Sequence, residues 1–321
     1  MCIYSLISLF KIRKNRRWLL VVGLLSGFNS SLFTAQASIL TSVKPIAFIS
    51  QAIANNVTDT TVLLPDGASP HVYALKPFDI QKLRTADLVI WVGEDMETFL
   101  PNVLRSVDKN KQIQLMTVPA IASLIYRDTH SQTRILPEED EEYDHHHHHD
   151  IDSHIWMSPA IAEQIAITIH DKLVQQYPDK KLIIDLNLAN FLAKLADEKQ
   201  VIAKKLINVQ NSGYFVFHDG YGYFERQFGL NNLGHFTINP DIQPGAQKVY
   251  LIRRQLIDNK AVCVFKEPQF SPAIIDKVVE GTNVQIGTLD PLGMSIAVSP
   301  DAYFEFLTNL TNQYEECLSR K

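Results

Sequence analysis

The sequence predicts an α/β protein of two lobes, each built on a parallel sheet, with one long helix joining them. Three observations carry this expectation. Short apolar runs ending in turn residues alternate with helical patterns, the alternation falls into two blocks, and an unbroken helical pattern separates the blocks. Strands alternating with helices imply parallel sheets covered on both faces, and such sheets place ligands beyond the carboxyl ends of their strands. The chain has 321 residues, 46% of them hydrophobic and 20% charged, enough apolar surface to give each lobe a core.

Taken in order, residues 1–37 read as a secretory signal peptide. Lys11, Arg13, Lys14, Arg16 and Arg17 stand without any acid before an apolar stretch from Trp18 to Leu25, and Ala35-Gln36-Ala37 supplies small residues for cleavage. The apolar stretch is shorter than the roughly 18 to 20 residues that span a bilayer, although an uncleaved anchor is the alternative. Cleavage would leave Ser38 first and the mature chain in the periplasm.

An N-terminal α/β lobe is expected over 38–178. Its strands are read at 39–42, at 61–64 ending in Pro65-Asp66-Gly67, and at 88–92 ending in Gly93; helical patterns cover 77–86 and 159–177. Within this lobe, 138–150 is low in complexity: six acids and Tyr143 precede His145, His146, His147, His148 and His149. Such a segment cannot pack a core and is expected to be a mobile, solvated loop that binds metal weakly. An expression tag would sit at a terminus rather than inside the chain.

From 179 to 210 no Gly or Pro interrupts a run with Leu182, Leu186, Ala189, Leu192, Leu195, Ala196, Ile202 and Leu206 at helical spacings, which predicts one linker helix. The alternative is a break near Asp197-Glu198-Lys199. The C-terminal α/β lobe, 211–321, offers strands at 214–217 ending in His218-Asp219-Gly220, at 261–265 ending in Lys266-Glu267-Pro268, and at 284–288 ending in Leu289-Asp290-Pro291.

Beyond residue 37 there remain 25 basic against 35 acidic side chains, a formal charge of −10. That balance argues against a nucleic-acid surface and suits a protein that handles small solutes or cations. Removal of Cys2 with the signal leaves Cys263 and Cys317 in an oxidising compartment, where a disulfide is the economical reading and two separate buried thiols the alternative.

Six histidines lie outside the tract. His71 follows a strand on a turn stiffened by Pro70, His154 stands where the chain enters a helix, and His218 ends a strand. All three occupy positions from which an open α/β sheet presents ligands. Their wide separations mean that any shared site must be assembled by the fold, and three hydrogen-bonded structural histidines are the plain alternative. Neutral imidazoles suit zinc at about 2.0 to 2.1 Å, with three leaving a fourth position for water or a carboxylate. Asp290, which ends a strand before Pro291-Leu292-Gly293, is read either as a fourth ligand or supporting carboxylate, or as a cap on its own turn. Glu267 is read as structural, as are His170 on a helix face, His130 in a polar loop and His235 near an apolar patch. The sequence contains no phosphate-binding loop of the Walker type, no serine elbow flanked by glycines and no closely spaced cysteine pairs.

The segments Asp66-Gly67-Ala68-Ser69-Pro70-His71-Val72-Tyr73, Asp152-Ser153-His154-Ile155-Trp156-Met157-Ser158-Pro159, His218-Asp219-Gly220-Tyr221-Gly222-Tyr223-Phe224 and Leu289-Asp290-Pro291-Leu292-Gly293 resemble the metal-binding solute receptors of ABC importers, and most of all their zinc-uptake branch. The resemblance spans essentially the whole mature chain. It implies two α/β lobes joined by a long helix, an ion held in the interlobe cleft by His71, His154 and His218, and a Cys263–Cys317 disulfide. It also implies an accessory His- and acid-rich loop, His145 to His149, before the second metal histidine. Some zinc receptors place a carboxylate directly before the first metal histidine; Pro70 stands there, so the fourth ligand is open between water and Asp290.

The function implied is that of a periplasmic receptor, not an enzyme, that captures Zn²⁺ and delivers it to an inner-membrane ABC permease driven by a separate ATPase, with periplasmic metal chaperones as further partners. Manganese-type receptors resemble the chain less, since a carboxylate tends to stand at the position of His218. A secreted zinc hydrolase or lyase would also suit three histidines and a water, and a metal buffer would work through the histidine tract alone.

Overall fold

The strands of both lobes are short, and the central strands of each sheet are apolar because they are buried on both faces. The computed structural model describes residues 38–126, 151–237, 245–258, 260–271 and 273–320. The signal-like stretch, His130 and the acidic and histidine tract at 138–150 lie outside the described residues.

Among the described residues, β1 (Ser38–Thr41), β2 (Asp59–Val62), β3 (Leu88–Trp91) and β4 (Gln112–Gln114) form one sheet in the order β2-β1-β3-β4. Four more strands, β5 (Tyr214–His218), β6 (Asn232–Thr237), β7 (Cys263–Lys266) and β8 (Gln285–Thr288), form a second sheet in the order β6-β5-β7-β8. Every pairing is parallel. The edge strands β4 and β6 escape the sequence reading for a physical reason. Gln112-Ile113-Gln114 has a single apolar residue, and Gly234 interrupts the pattern of β6 with a φ of 151°.

The helices are α1 (Lys44–Ala54), α2 (Pro77–Thr85), α3 (Pro101–Leu104), α4 (Pro119–Ala122), α5 (Pro159–Gln176), α6 (Lys181–Leu206), α7 (Gly222–Phe228), α8 (Ala246–Asp258), α9 (Ala273–Val279) and α10 (Ala302–Leu318). In the central strand β5, Tyr214 and Val216 join the larger core shared with α10, whereas Phe215 and Phe217 face the smaller core under α8 and α9. This is the period-two alternation of a strand covered on both sides.

The long helix is present as α6, unbroken over 26 residues, which at 1.5 Å per residue spans roughly 39 Å. Its buried positions, Ile184, Phe191, Leu195, Ile202 and Leu206, alternate steps of seven and four and so make one stripe. Of the expected stripe Leu195, Ile202 and Leu206 are buried, whereas Ala189, Ala196 and, toward the first turn, Leu182 and Leu186 are exposed. Apolar residues crowd both faces of that first turn, so periodicity alone could not choose between them. Asn187 Nδ2 donates to the carbonyls of Ile53 and Asn55 at the end of α1, while Lys194 pairs with Asp301 and Glu198 accepts from Thr308 on α10. The helix is thereby fastened to elements of both lobes. Cys263 and Cys317 are disulfide-bonded with Cα atoms 6.0 Å apart, tying β7 to the last turn of α10.

Candidate metal centre

Three ring systems converge where the carboxyl ends of the two sheets face each other. His71 lies in the loop after β2, His154 in the loop before α5, and His218 is the last residue of β5. One ligand nitrogen from each lies within 4.8 Å of the others. The ring centroids are 5.5 Å apart for His71 and His154, 6.0 Å for His71 and His218, and 5.0 Å for His154 and His218. His154 and His218 are buried, and His71 is half-buried.

Local chemistry sets each ring. The Ser69 hydroxyl accepts from the His71 backbone N–H at 3.3 Å, and Pro70 is buried beneath the turn. At His154, Asp152 Oδ1 accepts the backbone N–H at 2.9 Å and stands 2.9 Å from the ring Nδ1. The chain then makes a 3-10 turn, Ile155–Met157, and enters α5, where the Ser158 hydroxyl caps the N–H of Ile161 and Pro159 takes the first turn. Trp156 packs edge-on against the His154 ring at 5.4 Å, and its indole N–H donates to the Pro291 carbonyl of the opposite lobe at 2.9 Å.

His218 owes its setting to strand register. Val216 of β5 pairs with Phe265 of β7; two residues further along each strand stand His218 and Glu267. Continuing the parallel register brings Glu267 Oε1 to 2.5 Å from His218 Nδ1. The Nε2 atoms of His154 and His218 then face each other at 3.1 Å. Nitrogens bound tetrahedrally to one zinc at 2.0 to 2.1 Å would be about 3.3 Å apart, so this pair fits the ion with little adjustment.

Room for the ion comes from Gly220. A Cβ there would lie 2.5 Å from His218 Nε2 and 3.1 Å from His154 Nε2. The remaining walls include Trp156, Phe270, Pro291 and Leu292, which keep the pocket largely apolar. Burial, reinforced by the neighbouring His154 and His218, lowers the His71 pKa to about 2, so this ring stays neutral and free to bind metal. At His218 burial acts to lower the pKa, but the Glu267 carboxylate outweighs it and the net shift is upward.

Asp290 stands apart from the three clustered nitrogens. Its Oδ1 accepts from the Leu292 N–H and its Oδ2 from the Met294 N–H, at 3.1 and 2.7 Å, and Gln269 Nε2 donates to Oδ1 at 3.2 Å. The structure thus shows it capping its own turn, one of the two expected uses, with Leu292 and Gln269 of the pocket wall bonded to it. His170 bridges Asp171 and Asp185 at 2.9 Å each, joining α5 to α6, and His235 lies 3.7 Å from Asp219. Sequence reasoning passed over Asp152 and treated Glu267 as merely structural. The available signals were an acid two residues before a ligand histidine and an acid ending the strand next to another.

The chain matches the family model described as zinc-uptake complex component A, periplasmic, over residues 39–317. It is 52% identical over 292 residues to the high-affinity zinc uptake system protein ZnuA of Yersinia pestis, covering 88% of this chain and 92% of that one. With the protein of the same name from Haemophilus ducreyi it shares 45% identity, covering 89% and 94%. Among solved structures, a crystal structure of ZnuA superposes with a TM-score of 0.72 at 22% identity, covering 88% of this chain and 98% of that one. The periplasmic zinc-binding protein TroA from Treponema pallidum also gives 0.72, at 18% identity, covering 89% and 100%. At these identities the two structures speak for the fold.

Proposed function

This chain belongs to the family of periplasmic A components of zinc-uptake complexes, and we propose on that premise that it captures Zn²⁺ with His71, His154 and His218 and surrenders it to an ABC importer. The family is one of periplasmic solute receptors working with ABC transporters. The finer reading is an inner-membrane permease with a separate ATPase as partner, export by a cleavable signal over 1–37, and no catalysis by the chain itself. Its parts are an N-terminal lobe over 38–178, a linker at 179–210, and a C-terminal lobe over 211–321.

The observation that supports the site most directly is the convergence of three histidine nitrogens, from three distant parts of the chain, within 4.8 Å of one another. Neutral imidazole is a ligand of intermediate softness, suited to zinc rather than to manganese, and three of them leave a fourth position for water. Asp290 is engaged with backbone N–H groups and is not needed as a ligand. His145 to His149 serve as an accessory, weaker collector, because ordering such a segment around an ion costs conformational entropy.

Calorimetric titration of the tag-free protein, with metal content checked by mass spectrometry, should find one tight zinc per chain. Replacing His71, His154 or His218 with Ala should weaken that step at least ~10-fold with the fold intact. Tight binding unaltered in one variant would remove that residue from the site. Deleting 138–150 should lower the number of ions bound at high zinc and spare the tight step; its loss in that deletion would shift the primary site to the tract.

A further inference from the structure

The two buried ligand histidines are each backed by a carboxylate from their own lobe. Asp152 stands 2.9 Å from His154 Nδ1, and Glu267 stands 2.5 Å from His218 Nδ1. We propose that Asp152 and Glu267 are positioning residues that fix both rings with the proton on Nδ1 and leave both Nε2 lone pairs aimed at one point. The proposal rests on the three-histidine reading of the site.

The chemistry is that of the hydrogen bond. An ionised carboxylate can only accept, so a neutral imidazole facing it through Nδ1 must place its proton there. Its Nε2 is then a bare acceptor. With both rings so set, the Nε2 atoms that face each other at 3.1 Å both present lone pairs to an entering cation. A metal-ligating histidine that gives its other N–H to a carboxylate is also the more basic ligand.

Glu267 is held inside the fold: it is 3% exposed, and besides His218 Nδ1 it meets the Tyr221 hydroxyl. The two backings also differ in origin: Asp152 is two residues from its histidine, whereas Glu267 reaches His218 across the β5–β7 register. Each lobe therefore presets its own buried ligand before the ion joins them.

The test uses the full mature chain in four variants, Asp152→Asn, Asp152→Ala, Glu267→Gln and Glu267→Ala, with His218→Ala as control. Ring ¹⁵N chemical shifts in the metal-free protein at pH 9 report the tautomer, and zinc titration reports affinity. The wild type should show both His154 and His218 with the proton on Nδ1. Each Ala variant should release its partner ring into a mixture of tautomers and lose about 10- to 100-fold in zinc affinity. The amide variants, which can accept or donate, should give a smaller loss and a partial mixture; they decide the matter if an Ala variant does not fold. Variants that keep the Nδ1 tautomer and wild-type zinc affinity would overturn the proposal. The metal-free tautomer is measured without zinc, so the positioning claim is decided separately from the capture reading. The latter fails if wild type and His218→Ala bind zinc alike.

Discussion

Gly220→Ala tests the metal centre without touching a ligand. The added Cβ would lie 2.5 Å from His218 Nε2, 2.9 Å from His218 Cε1 and 3.1 Å from His154 Nε2. A methyl there stands inside van der Waals distance of both nitrogens that a zinc would need at 2.0 to 2.1 Å. One ring must therefore turn away and surrender its place in the site. His218 cannot turn freely because Glu267 holds its far side at 2.5 Å. Losing one ligand bond should weaken zinc binding at least ~10-fold, which is about 1.4 kcal/mol. The fold should tolerate the change, since Gly220 is not among the glycines with positive φ and an alanine there meets no backbone strain. Reduced freedom of the unfolded chain contributes about 0.4 to 1 kcal/mol in favour of alanine, against the clash with the ring. The melting temperature of the metal-free variant should therefore shift by only a few degrees. Calorimetric zinc titration at pH 7.5, beside thermal melts without metal, reads both quantities. Wild-type affinity in Gly220→Ala would show that the ion does not sit between the two Nε2 atoms.

Three further outcomes follow from other parts of the molecule. Zinc affinity should fall as pH drops from about 7 to 5, by roughly tenfold per unit once His218 protonates, because its raised pKa makes it an early proton competitor while His71, lowered to about 2, stays neutral; a flat profile would refute imidazole ligation. Reduction of Cys263–Cys317, which closes a 54-residue separation, should cost about 4 kcal/mol and some 5–10 °C in melting temperature, while calorimetry still finds the tight zinc step; loss of that step would implicate a thiol. Burial, with the charges of Asp219 and Asp152 adding to it and hydrogen bonds from Asn232 and Tyr214 opposing it, raises Glu225 to about 7. Between its unfolded value of 4.5 and 7 the native state then holds more protons than the unfolded state, so this group's contribution grows as pH falls through that window, reaching on the order of 3 kcal/mol. Melts of metal-free wild type and Glu225→Gln at pH 7.5, 6 and 5 should therefore diverge in favour of the wild type, and a constant difference would refute the shift.

The sequence made some of this legible because the signals were local. α6 was visible because no Gly or Pro breaks it, although of its expected apolar stripe only Leu195, Ile202 and Leu206 are buried. His71, His154 and His218 were visible because each follows a strand or precedes a helix, where an open α/β sheet presents ligands. Asp290 remained ambiguous, since an Asp that precedes Pro-Leu-Gly can turn back on its own backbone or point outward; the bonds from Leu292 and Met294 show it turned back. The contact of Glu267 with His218 was not legible because it depends on the pairing of β7 with β5, a relation between residues 49 apart that no local pattern displays. The space over Gly220 is likewise a product of two loops meeting, and a glycine after His-Asp reads from sequence only as a turn.

The distribution of these groups constrains how a bound ion could leave. His71 and His154 come from the N-terminal lobe and His218 from the C-terminal one, so moving the lobes apart separates one ligand from two. Such a movement must also break the Trp156 indole bond to the Pro291 carbonyl, the Tyr303 hydroxyl bond to the Trp156 carbonyl, and the Lys44 ammonium bond to the Met294 carbonyl, at 2.9, 2.8 and 2.6 Å. At a net 0.5 to 1.5 kcal/mol for each ordinary bond, these links amount to a few kcal/mol. The lacing of α6 to α1 and α10 resists wide rotation in addition. Because each buried histidine is set by a carboxylate of its own lobe, separation would leave both rings correctly oriented. The site would then be ready to close on the next ion without rebuilding either half.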